Sequence, residues 1–123
     1  MVQTLLVVED EESLRIALHD KLTREGFTVL EANDGAEGLA LALDKHPDLI
    51  LLDIIMPVMD GMTMLGKLRE DVWGKNAAVI ILTNLNDDER VQESIKHGAF
   101  EYLVKTDWKL EDVVTKIRAK LKK

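Results

Sequence analysis

The chain has no cysteine, which removes disulfides, thiol chemistry and thiolate metal ligands and fits a cytoplasmic protein. No apolar run approaches the roughly eighteen residues that a transmembrane helix needs. Met1-Val2-Gln3 leads straight into a strand-like segment, without the basic and apolar regions of a signal peptide, so none is expected. There is no linker, low-complexity tract or second composition, and 123 residues suit a single domain, 1–123, with one core. Basic residues are in deficit. Lys and Arg number 16 against 23 Asp and Glu, a net charge of −7, which argues against non-specific nucleic-acid binding, so no direct nucleic-acid contact is expected of this chain, and which suits a divalent cation or a basic partner surface.

What the chain does have is a series of short apolar runs, each followed by a segment with helical spacing. The central run is Leu49-Ile50-Leu51-Leu52, which ends in Asp53 and continues to Pro57. Continuous apolar residues of this length read as a strand buried on both faces, as in the middle of a parallel sheet. Thr4 to Val8, Phe27 to Ala32, Ala77 to Leu82 and Phe100 to Val104 read as further strands, the second of them edge-like because it alternates. Between them, Leu14, Ala17, Leu18 and Leu22 mark one helix, with Ser13 or Asp10 as candidate cap and Gly26 as its end. Ala36, Leu39, Ala40 and Leu43 mark a second, and Met62, Leu65, Leu68 and Val72 a third, broken by Gly74 and Asn76. Val91 and Ile95 anchor a fourth, and Leu110, Val113, Val114, Ile117 and Leu121 a fifth. Five β-α repeats with short connections predict an α/β protein with a parallel sheet covered on both faces. The expected strand order is the doubly wound 2-1-3-4-5, whose ligands bind beyond the carboxyl ends of strands 1 and 3.

That edge is where the chemistry gathers. Strand 1 ends in Glu9 and Asp10, strand 3 in Asp53, strand 4 in Thr83 and strand 5 in Lys105. Three carboxylates against one lysine leave excess negative charge that a cation would relieve. The ligands are oxygens, with no His or Cys at metal-ligand spacing, so a hard cation is expected, Mg²⁺ or alternatively Mn²⁺. A cation, an ammonium and a hydroxyl around one exposed Asp suit a phosphoryl group, with the Asp as nucleophile.

Four segments, in this order and spacing, resemble the receiver domain of two-component response regulators, the CheY-like superfamily. They are Leu6-Val7-Val8-Glu9-Asp10-Glu11, the stretch from Asp53 to Gly61, Ile81-Leu82-Thr83, and the stretch from Gly98 to Lys105. The resemblance covers nearly the whole chain. It implies a flavodoxin-like (βα)5 three-layer sandwich that works as a signalling switch and not as an enzyme. Asp53 would take a phosphoryl group from the phosphohistidine of a histidine kinase or a histidine phosphotransfer protein. Mg²⁺ would be held by Asp10, Asp53 and the main-chain carbonyl of Ile55, with Glu9 acting through a water. Lys105 would contact the phosphoryl group, Thr83 would be the switch hydroxyl and Tyr102 the switch aromatic. The output surface for a downstream effector protein or domain would comprise the helix around Val91 and Ile95, the fifth strand and the last helix. The domain would be a cytoplasmic monomer or a phosphorylation-dependent dimer, with no membrane contact.

Some positions depart from the family pattern. Glu9 stands where Asp is usual and reaches further. Thr106 follows Lys105 where proline is usual, and a cis peptide is cheap only before proline. Asn84 replaces a small residue. Ile55 and Leu85 are apolar on the approach to the phosphoryl group and are expected to slow attack by water. Three other readings compete. An aspartate-nucleophile phosphatase would carry a second Asp where Ile55 stands. A flavodoxin-like cofactor module would need a Gly/Ser/Thr-rich loop where Glu9-Asp10-Glu11-Glu12 stands. A pseudo-receiver, used only for protein contacts, would not need the complete acidic set.

Overall fold

The computed structural model describes residues 2–54, 56–83, 101–104 and 109–121, with the side chains of residues 83 and 101–104 left out. The elements are β1 (Thr4–Val8), α1 (Glu12–Arg24), β2 (Thr28–Ala32), α2 (Gly35–Lys45), β3 (Leu49–Asp53), α3 (Gly61–Glu70), a 3-10 turn (Gly74–Asn76), β4 (Val79–Thr83), β5 (Glu101–Val104) and α4 (Leu110–Leu121). The predicted helix around Val91 and Ile95 lies outside the described residues. The five strands form one sheet in the order β2-β1-β3-β4-β5, and all four neighbour pairs are parallel. This is the predicted doubly wound α/β fold of CheY-like, flavodoxin-like proteins.

Side chains alternate across the sheet and feed two cores. Leu6, Val8, Ile50, Leu52, Val79 and Ile81 pack with Ala42 of α2 and Met64, Leu65 and Leu68 of α3. Leu5, Val7, Leu49, Leu51, Ile80 and Leu82 pack on the opposite face with Leu18 and Leu22 of α1 and Val113, Val114 and Ile117 of α4. β3 is buried at every position, which is why its sequence is apolar without alternation. Each such aliphatic side chain contributes about 1.5–3 kcal/mol by leaving water. β2, on the margin, shows the mixed burial expected of an edge strand. Among the described residues no helix is long and apolar enough to cross a membrane.

Three local expectations need correction. The first concerns the cap of α1. Its N-cap is Glu11, with no side-chain cap bond, and neither Ser13 nor Asp10 fills that role. Ser13 sits inside the first turn, and Asp10 belongs to the acidic cluster described below. The second concerns the face of α2. Gly35, Gly38 and Ala42 are its buried residues, whereas Leu43 is exposed. A side chain at Gly38 would press within 2.8 Å of both Val8 methyl groups, so the helix lies too close to β1 for a side chain at that position, while Leu39 and Leu41 pack partly buried beside it. The third is Val72, which is 93% exposed and no part of a helical face. α3 ends at Glu70, where Asp71 takes an extended backbone and accepts a hydrogen bond from the Gly74 amide at 2.9 Å. Arg69 fixes this exit by donating to the carbonyls of Gly74 and Ala77 at 2.7 and 2.8 Å.

Candidate functional site

β1 and β3 run side by side in the register Leu5↔Leu49 to Val8↔Leu52. Parallel strands in that register finish together, so the residue after Val8 meets the residue after Leu52. These are Glu9 and Asp53. Carboxylate oxygens of Glu9, Asp10 and Asp53 all lie within 4.8 Å of one another. Glu9 is fully buried, at 0% exposure, and Asp53, expected from its place at a strand end to be exposed, is buried at 5% because the loop to α3 and the neighbouring acids close over it, while Asp10 reaches solvent. Two buried acids beside a third are costly in a medium poorer than water unless donors or a cation compensate them. The Glu11 amide supplies one donor, bonded to Glu9 Oε2 at 3.0 Å. The N-terminus of α1 follows immediately and presents the positive end of its dipole to the cluster. An all-oxygen donor set on this scale could hold a hard cation such as magnesium.

The other side of the cluster is fixed by α3. The Gly61 amide donates to the Ile54 carbonyl at 2.8 Å. A Cβ on Gly61 would fall on the Asp53 carbonyl oxygen, so only glycine lets the helix start this close to the strand. Asp60 caps the helix by accepting from the Thr63 amide at 2.7 Å. In the intervening loop Val58 holds a left-handed φ of 67°, and the Met59 carbonyl accepts from the Gly35 amide at 2.9 Å. The loop is thus tied to α2 at one point and to β3 at another.

The register carries the remaining predicted residues partway. Asp53 pairs with Leu82, so Thr83 follows at the same edge, and Thr83 pairs with Val104. Tyr102 pairs with Ile81 within β5. The backbones of Thr83 and Tyr102 are placed, but their side chains lie outside the described residues, as do all of Ile55, Asn84, Leu85, Lys105 and Thr106. One residue at the site escaped the sequence reading. Arg15 donates from Nη1 to the Glu9 carbonyl at 3.0 Å, and its Nε lies 3.8 Å from Glu31 Oε1 on β2. The only available signal was an arginine at helical spacing after the acids, which reads as an ordinary solvated face.

A second concavity, of about 890 Å³, lies at the opposite end of the sheet and is lined by Gln3, Asp48, Trp73 and Lys120 among others. There the Trp73 and His46 rings stack at 4.3 Å. Parallel α/β sheets bind their ligands beyond the carboxyl ends of the strands, and the acidic cluster, not this groove, is at that end.

Together the fold and the cluster define a class of protein, a doubly wound α/β domain with an acidic pocket at the ends of its first and third strands. Residues 5–118 match the family model of the response regulator receiver domain, and the chain belongs to that family. The transcriptional regulatory protein AfsQ1 of Streptomyces coelicolor is 38% identical over 102 residues, a match covering 83% of this chain and 44% of that protein. The chain therefore spans less than half the length of that curated relative. Among solved structures, the chemotaxis protein CheY4 of Vibrio cholerae has a TM-score of 0.90 at 30% identity, over 97% of this chain and 98% of that one. The receiver domain of the sensor histidine kinase PA1611 of Pseudomonas aeruginosa PAO1 has a TM-score of 0.89 at 25% identity over the whole of both chains. That structure has a magnesium ion coordinated in its active site cleft.

Proposed function

We propose that this chain is a phosphoacceptor switch of a two-component phosphorelay, with Asp53 as the acceptor. The observation that carries the reading is the convergence of Glu9, Asp10 and Asp53 on one point at the ends of adjacent strands. A carboxylate oxygen of Asp53 attacks the phosphorus of a phosphohistidine on a histidine kinase or a histidine phosphotransfer protein. The P–O bond forms as the P–N bond breaks, and the donor imidazole leaves and takes a proton from solvent. Glu9, Asp10, Asp53 and the Ile55 carbonyl would hold Mg²⁺, which would offset the negative charge of both the pocket and the incoming group. Lys105 would contact the phosphoryl oxygens.

In this reading Thr83 moves toward the phosphoryl group and Tyr102 follows. The output surface of α4, β5 and the segment around Val91 and Ile95 then changes for an effector protein or domain. Moving a two-state equilibrium from about 1:99 to 99:1 takes roughly 5.5 kcal/mol of differential stabilisation. Charge-assisted bonds from Lys105 and Thr83 would supply part of it. The magnesium site of the PA1611 receiver and the regulators among the relatives support this assignment.

Incubation with radiolabelled acetyl phosphate tests it. The wild type is expected to label in the presence of magnesium and to lose the label in EDTA. Asp53→Ala is expected not to label, and labelling that persisted in that variant would refute the assignment.

A further inference from the structure

We infer that Arg15 is a positioning residue that sets the cation affinity of the acidic pocket by anchoring Glu9 from behind, an inference that rests on the proposed magnesium-assisted switch. The Arg15 side chain is only 17% exposed although it carries a full charge. It links two strands: Nη1 donates to the Glu9 carbonyl at the end of β1, at 3.0 Å, and Nε lies 3.8 Å from Glu31 on β2. β2 sends no acid into the pocket. Its Glu31 instead braces the arginine that holds Glu9.

Glu9 is held at three atoms, one of them by Arg15. Its amide donates to the Ala32 carbonyl at 3.0 Å, its carbonyl accepts from Arg15, and its Oε2 accepts from the Glu11 amide at 3.0 Å. A glutamate has one more rotatable bond than an aspartate between backbone and carboxylate. The Glu11 amide restrains the carboxylate end of that longer side chain, and Arg15 fixes the main chain from which it extends, so together they lower the entropy that cation binding must remove. Arg15 also has an opposing influence, because a guanidinium bonded at the Glu9 main chain repels a divalent ion held by that residue. The Glu31 ion pair offsets part of that repulsion. The anchor and the repulsion therefore predict opposite signs when Arg15 is removed.

Isothermal titration of magnesium into the unphosphorylated full chain separates them. Arg15→Ala is expected to weaken magnesium binding by about tenfold, the lower end of the range seen when partners that orient metal ligands are lost. Arg15→Lys keeps the charge and one donor head, and is expected to recover part of that loss. Thermal unfolding in EDTA verifies that each variant is folded before metal is added. If Arg15→Ala does not fold, Arg15→Lys decides alone, with weaker binding supporting the anchor. Magnesium affinity equal to or tighter than wild type in the folded variant overturns the inference and leaves the switch reading standing. Absence of magnesium binding in the wild type overturns the metal reading and this inference together.

Discussion

At Gly61 a side chain has nowhere to go. Its Cβ would overlap the Asp53 carbonyl, a backbone atom that moves only if β3 moves. Gly61→Ala is expected to destabilise the protein by about 1–3 kcal/mol, the usual cost of forced overpacking, read as a lower urea midpoint at unchanged slope. The same scale shows why some of the site was legible in the sequence and some was not. Asp53 was legible because an acid interrupts a wholly apolar strand, and Glu9 and Asp10 because they end another. Arg15 was not, because its partners are a main-chain carbonyl and an acid on a different strand, and neither leaves a periodic mark. The need for glycine at position 61 was not legible either, since nothing local reveals the strand backbone behind it.

Among the elements, the strands were the more legible. β1, β3 and β4 are nearly continuous apolar runs, and their predicted and observed spans differ only at the ends. α2 was correctly placed and its face partly so, since Leu39 packs against the core as expected. Its fully buried residues are two glycines and an alanine, which carry little hydrophobic signal, with Leu39 and Leu41 packed partly buried beside them, while Leu43 at an expected position is exposed. Tight packing on Val8 selects a residue without a side chain at Gly38, so the rule that large apolar residues mark the core fails at the point of closest approach. The N-terminus of α2 has a reciprocal cap. Asp34 Oδ1 accepts from the Glu37 amide at 2.8 Å, and Glu37 Oε1 accepts from the Asn33 amide at 3.2 Å. Asp34→Ala is expected to cost about 1 kcal/mol of stability in urea denaturation, the typical loss of an N-cap.

At the scale of the whole molecule, α1 and α4 are clamped by charge across the face of the sheet. Arg118 donates to the Glu25 carboxylate at 3.1 Å and lies 5.0 Å above the Phe27 ring. Lys21 pairs with Glu25 and with Glu111, at 3.4 and 3.3 Å. The bonds from Arg118 and then Lys21 hold the Glu25 carboxyl below its ordinary value of 4.5. Glu111 is also held low, first by a bond to its own backbone and then by Lys21. Bonds to Glu111 and Glu25 raise Lys21 above 10.5. A lowered carboxyl stabilises the fold above its ordinary value and loses that contribution as pH falls through its folded value. The raised lysine contributes below its ordinary value and loses that contribution as pH rises through its folded value. Glu25→Gln is thus expected to lower the urea midpoint slightly and evenly through neutral pH. The gap from wild type should close below pH 4.5, and because the groups are exposed it should shrink with salt. The placement of the acids at the end of the β1–β3 pairing has a kinetic consequence as well. These strands are neighbours in the sheet, but α1, β2 and α2 lie between them in the chain, so their pairing must close a long loop before it gains anything. It must also bring three like charges together at one end, so the step that completes the sheet centre runs against repulsion that dissolved cations relieve.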